Sequence, residues 1–140
     1  MTTNPRQYLS HEVRPTLLLA DDEPAVRATL THQLSTRFQI VAAAGDADEA
    51  IALAHTHRPD LAIIDVEMPG GGGLRATREI RACSPNTAML VLSSDESEDG
   101  VRALLGAGAI TYLRKGLPAD ELARSLYATM HAHAKLDHGS

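Results

Sequence analysis

Five residues stand out by type and place: Asp21 and Asp22, Asp65, Ser93 and Lys115. Each ends or follows a short aliphatic run: TLLLA before Asp21, LAII before Asp65, AMLVL before Ser93 and TYLR before Lys115. If these runs are parallel strands, their carboxyl ends share one edge of a sheet, which is where open α/β folds bind ligands. Three carboxylates converging there repel one another unless a cation neutralises them. Oxygen-only ligands suit a hard divalent ion, and Mg2+ takes one or two carboxylates while keeping several waters. A carboxylate beside such an ion can act as a nucleophile and form an acyl phosphate. The ammonium of Lys115 and the hydroxyl of Ser93 would then hold phosphoryl oxygens, because phosphoryl transfer is mostly positioning and charge neutralisation. Each residue alone is weak evidence. Their shared place at strand ends carries the weight.

The elements that must position them alternate strictly. Thr16 to Ala20, Phe38 to Ala44, Leu61 to Asp65, Ala88 to Ser93 and Ile110 to Arg114 read as strands. Between them, apolar residues recur at a helical period: Val26, Leu30 and Leu34 after Pro24, then Ala47, Ala50, Ile51 and Ala54 after the N-cap Asp46. Further helices are predicted from about Leu74 to Cys83, Glu96 to Leu105, and Pro118 to about Ala134. The strands are near-continuous aliphatic runs, as expected when both faces of a parallel sheet are covered. The fold class is therefore α/β: a doubly wound, five-stranded parallel sheet with helices on both faces. Residues 1–14 read as a flexible lead-in, 15–134 as the one domain, and 135–140 as a flexible tail.

Composition agrees. There is no Trp, one Phe and three Tyr, so the core must be aliphatic. A net charge of -5 argues against a broad footprint for nucleic acid. The single Cys83 excludes an internal disulfide and a cysteine zinc site, and it suits a reducing compartment. No apolar run approaches the about 20 residues of a membrane helix, and the N-terminus lacks the layout of a signal peptide. A soluble, cytoplasmic protein is expected.

The segments LLLADDEP, LAIIDVEMPGGGGL, VLSSD and TYLRKG, in that order and spacing, resemble the landmarks of response-regulator receiver domains from Thr16 to about Met130. The resemblance implies a flavodoxin-like strand order 2-1-3-4-5 and phosphorelay signalling. In its terms Asp65 is the phosphoacceptor. Asp22 is a direct ligand of Mg2+ (or Mn2+), Asp21 acts largely through water, and the backbone carbonyl of Glu67 is a further ligand. Ser93 and Lys115 contact the phosphoryl group, while Ser93 and Tyr112 form the switch. The implied partners are a sensor histidine kinase or phosphotransfer protein, and a second copy on phosphorylation, through the face of the fourth helix, fifth strand and fifth helix. Direct nucleic-acid and membrane binding are not expected. Beyond its own phosphoryl transfer and dephosphorylation, the domain is not expected to be an enzyme.

Some positions depart from the pattern. Four glycines, Gly70 to Gly73, stand where the family usually has Met-Asp-Gly, and should loosen this loop and the next helix start. They lack the Lys-Ser/Thr ending of a phosphate-binding loop. Gly116 replaces a common proline, and Lys115-Gly116 with Pro118 is similar to receivers carrying LuxR-type outputs. Glu67 and Asp95 flank the chemistry and are both acidic. His131, His133 and His138 read as a solvated, fraying tail, His55 and His57 as solvated surface, and Cys83 as a packed small residue. Two other functions fit parts of the pattern. A haloacid-dehalogenase-like phosphohydrolase would want Asp at position 67 and a cap insertion, and a docking module would not need the reactive positions filled. Whether the receiver stands alone or belongs to a longer regulator is open.

Overall fold

The computed structural model describes residues 13–94 and 98–139. Five strands alternate with five helices: β1 (Thr16–Ala20), α1 (Pro24–Leu34), β2 (Gln39–Ala44), α2 (Ala47–His57), β3 (Leu61–Asp65), α3 (Gly72–Cys83), β4 (Ala88–Ser93), α4 (Glu98–Ala107), β5 (Thr111–Arg114) and α5 (Ala119–Gly139). All strand pairs are parallel, and the sheet order is β2-β1-β3-β4-β5. This is the expected flavodoxin-like order.

Side chains alternate across the sheet and divide the core in two. Leu17, Leu19, Leu61, Ile63, Leu90 and Leu92 face α1 and α5, meeting Leu30, Leu34, Leu122 and Leu126. Leu18, Ala20, Ala62, Ile64, Met89 and Val91 face α2, α3 and α4. There the alanine stripe Ala47, Ala50 and Ala54 meets Ala76 and Ile80. Both faces of β3 and β4 are covered, which is why those strands are apolar throughout.

Local signals place the helix ends. Pro24 takes a first-turn position of α1, where its missing N–H is no loss. Asp46 caps α2, accepting the Glu49 N–H at 2.8 Å. Asp46→Ala should therefore cost about 1 kcal/mol in denaturant unfolding, with no change in slope. Arg58 closes α2 in the left-handed region at φ 45°. The Pro59 that follows disfavours a further helical residue.

Several boundaries differ from expectation. Strands β2 and β5 each start one residue later than predicted, and α3 begins at Gly72 instead of near Leu74. The last helix starts at Ala119 and runs to Gly139 instead of ending near Ala134. Ala132, Ala134, Lys135 and Leu136 are good helix formers with no breaker among them. His133 is also not a tail residue: its Nε2 lies 3.0 Å from the Pro85 carbonyl oxygen. Residues 1–12 of the predicted lead-in lie outside the described residues.

Candidate functional site

The carboxyl edge of the sheet gathers the five residues. Asp21 follows β1, Asp65 ends β3, Ser93 ends β4 and Lys115 follows β5. Asp21, Asp65 and Ser93 are each only 2% exposed. The Lys115 ammonium reaches into the cluster, with Nζ 3.2 Å from Asp21 Oδ2 and 3.1 Å from Asp65 Oδ1. Asp22 is exposed, yet one carboxylate oxygen from each of Asp21, Asp22 and Asp65 lies within 4.8 Å of the others. The backbone holds the ends of the strands in register here. The Lys115 N–H donates to the Ser93 carbonyl at 2.9 Å, and the Val66 N–H to the Leu92 carbonyl at 3.1 Å.

The two oxygens of Asp65 differ. Oδ1 accepts from the Glu67 N–H at 3.2 Å and faces Lys115. Oδ2 is buried with no hydrogen-bond partner among the described residues. A buried acceptor left unpaired costs about 1–3 kcal/mol, so this atom is set up to meet a cation or an electrophile. Burial pushes the Asp65 pKa from the ordinary 3.8 up to about 6, against the hydrogen bonds of Lys115 and the Glu67 N–H, and the charge of Asp21 adds to the rise. Burial also works against the Lys115 charge, but the hydrogen bonds and charges of Asp65 and Asp21 outweigh it and hold that pKa above the ordinary lysine value. Lys115→Met removes the main opposition to burial at Asp65. The Asp65 carboxyl should then titrate at higher pH than in the parent protein, as followed by carbon NMR of the aspartate side chains.

The glycine run expected to loosen this corner is tied into it. The Gly73 N–H donates to the Val66 carbonyl at 2.8 Å, and the Ala47 N–H to the Pro69 carbonyl at 3.0 Å. Arg75 Nη1 donates to the Gly70 carbonyl at 2.7 Å and meets Asp48 Oδ1 at 2.6 Å. Gly70, Gly71 and Gly72 have φ of 87°, 106° and 73°, values that other residues adopt only at a cost. Gly73 is needed for a different reason. A Cβ there would lie 2.7 Å from the Asp65 carbonyl oxygen and 2.8 Å from Val66 Cα. The helix start is thus packed directly on the backbone of the central aspartate.

Tyr112 is half-buried on β5, paired across the sheet with Val91 and packed against the α2–α4 side of the core. Glu67 is exposed, and its N–H contacts Asp65. Asp95 lies outside the described residues. Two further residues border the cluster without having been singled out. Arg27 Nη1 donates to the Asp21 carbonyl at 2.6 Å, and Gly45 leaves the space its guanidinium uses. No sequence signal marks either, since an arginine on an amphipathic helix looks like any solvated residue.

The strand order and the acidic cluster at its carboxyl edge define the class: a doubly wound α/β domain of the chemotaxis-regulator type. The family model of the response regulator receiver domain matches residues 17–127. The chain belongs to that family, the receiver domains of two-component systems. It is 34% identical over 118 residues to the uncharacterized transcriptional regulatory protein YxjL of Bacillus subtilis, covering 83% of this chain and 54% of that protein. Over 137 residues it is 36% identical to the transcriptional regulatory protein PdtaR of Mycobacterium tuberculosis, covering 93% of this chain and 66% of that protein. The chain therefore spans about half to two thirds of the length of these curated relatives. Among solved structures, the receiver domain of the putative response regulator NarL from Mycobacterium tuberculosis superposes with a TM-score of 0.80 at 26% identity, covering 84% of this chain and 97% of that one. A CheY-like receiver from Methanospirillum hungatei shares the fold, with a TM-score of 0.81 at 19% identity over 88% of this chain and 98% of that one.

Proposed function

We propose that this domain is a phosphorylation switch whose acceptor is Asp65 Oδ2. The reading rests above all on that atom, buried without a partner among the described residues while its sister oxygen is held by Lys115 and the Glu67 N–H. A carboxylate fixed by one oxygen presents the other in a single direction, which is what an in-line displacement requires. The donor is the phosphohistidine of a sensor histidine kinase or phosphotransfer protein. The phosphorus–nitrogen bond breaks as the phosphorus–Oδ2 bond forms, and the departing imidazole takes up a proton. Lys115 and the Ser93 hydroxyl then hold phosphoryl oxygens.

The carboxylates of Asp21, Asp22 and Asp65, with the Glu67 carbonyl, would hold Mg2+ or Mn2+. An oxygen-only donor set of three carboxylates drawn to one point fits such an ion. When bound, it supplies the positive charge that offsets the carboxylates and the incoming phosphoryl group. Phosphorylation adds about two negative charges and draws Ser93 and Lys115 inward. That biases the face of α4, β5 and α5, including Tyr112, toward partner binding or homodimerisation.

Beryllofluoride with Mg2+ tests the reading. A slowly exchanging bound fluoride signal should appear in the parent protein by fluorine NMR and be missing in Asp65→Asn. Catalytic release of phosphate from added monoesters would instead support the phosphohydrolase. The absence of any Mg2+-dependent change would support the docking module.

A further inference from the structure

Asp21 and Asp22 sit on a three-residue connection between Ala20 and Pro24, so the backbone there decides where both carboxylates point. Two bonds tie the Asp21 end to its surroundings: its N–H donates to the Ala44 carbonyl at 2.9 Å, and its Oδ1 accepts the Glu23 N–H at 2.9 Å. The second bond closes a turn around the peptide unit that joins Asp21 to Asp22 and leaves the oxygen of that unit to be held from outside the turn. The oxygen of that unit is the one held by Arg27 Nη1, at 2.6 Å. A peptide unit is planar and rigid, so fixing its oxygen fixes the rotation on which the direction of Asp22 depends.

Arg27 reaches this oxygen from α1 by crossing Gly45, at the end of β2. A Cβ on Gly45 would lie 3.1 Å from Nη1 and 3.7 Å from Cζ, tight enough to move the guanidinium. Gly45 is not in the left-handed region, so its backbone does not demand glycine. The guanidinium itself occupies the space a side chain would fill.

We infer that Arg27 is a positioning residue for the acidic pair, setting the affinity of the site for a divalent cation by holding the Asp21–Asp22 peptide, with Gly45 clearing its path. This rests on the metal-dependent reading above and goes beyond it, since Arg27 donates to the backbone carbonyl of Asp21 and not to a carboxylate oxygen of the cluster. Electrostatics alone makes the opposite prediction. A guanidinium beside the site repels a dication, so deleting it should tighten binding.

The test is direct titration of Mn2+ by electron paramagnetic resonance and of Mg2+ by calorimetry, on the full chain. Arg27→Ala should weaken binding about tenfold, the lower end of what losing an outer-shell partner costs. Arg27→Lys keeps a donor for the same carbonyl and should recover most of the loss. Gly45→Ala should weaken binding in the same direction, by a smaller factor than Arg27→Ala because the guanidinium need only shift. At saturating Mg2+ the beryllofluoride adduct of Arg27→Ala should reach the parent level, because affinity and not the acceptor is affected. Unchanged or tighter binding in Arg27→Ala overturns the inference. If that variant does not fold, unchanged binding in Gly45→Ala overturns it and weakened binding there supports it. No binding of either ion by the parent protein overturns the metal-dependent reading itself, and the inference with it.

Discussion

Asp65→Asn is expected to stabilise the metal-free protein at neutral pH by up to about 3 kcal/mol. The aspartate carboxyl titrates near 3.8 when unfolded and at about 6 when folded. A raised folded pKa means the folded state gives up its proton less readily. Its contribution to stability is complete below pH 3.8 and is lost as the pH rises through about 6. Each pH unit of separation is worth about 1.4 kcal/mol, which sets the ceiling, and solvent reaching the site beside the exposed Asp22 and the partly exposed Lys115 lowers it. Asparagine keeps an oxygen for Lys115 and never ionises. Its advantage should therefore be absent near pH 4, grow to about pH 6 and level off above. Urea unfolding of both proteins in chelator at several pH values checks this. Excess Mg2+ should narrow the gap or reverse it, because an ion that binds only the folded parent stabilises it by mass action.

Gly73→Ala is the second large effect, and it runs against helix propensity. Alanine inside a helix is normally preferred to glycine by about 0.5–1 kcal/mol. At Gly106, in α4, an added methyl would meet no atom of the described residues within 4 Å beyond its chain neighbours and its own helix backbone, and the φ is not positive. Gly106→Ala should show that gain. At Gly73 the methyl meets two backbone atoms, the Asp65 carbonyl oxygen at 2.7 Å and Val66 Cα at 2.8 Å. Neither can rotate away, so the start of α3 or the end of β3 must shift. A net loss of about 2–3 kcal/mol is expected, with weaker binding of Mg2+ because the displaced strand end carries Asp65. Equal midpoints for the two alanine variants in one denaturant series would contradict this account of the corner.

Periodicity made much of this molecule legible before its structure. The aliphatic runs are strands because β3 and β4 are covered on both faces, and Pro24 and Asp46 mark helix starts by simple backbone chemistry. Asp21, Asp22, Asp65, Ser93 and Lys115 could be brought together on paper because parallel strands align their carboxyl ends. What escaped notice was set by approach distances between distant segments. Gly72 and Gly73 look like loop because glycine is a poor helix former, yet α3 includes both: Gly72 at a φ of 73° beside the Val66 carbonyl, and Gly73 packed against Asp65. Arg27 and Gly45 are separated in sequence and meet only across β1 and β2. The inequality of the Asp65 oxygens likewise depends on where Lys115 and the Glu67 N–H fall.

As proposed here, Asp65 accepts a phosphoryl group with the help of a divalent ion held by its acidic neighbours. Intact-mass spectrometry after incubation with acetyl phosphate measures it most directly. One added phosphoryl group is expected in the parent protein with Mg2+, none in chelator, and none in Asp65→Asn. An equal gain in Asp65→Asn, or no gain in the parent protein with Mg2+ present, would contradict it.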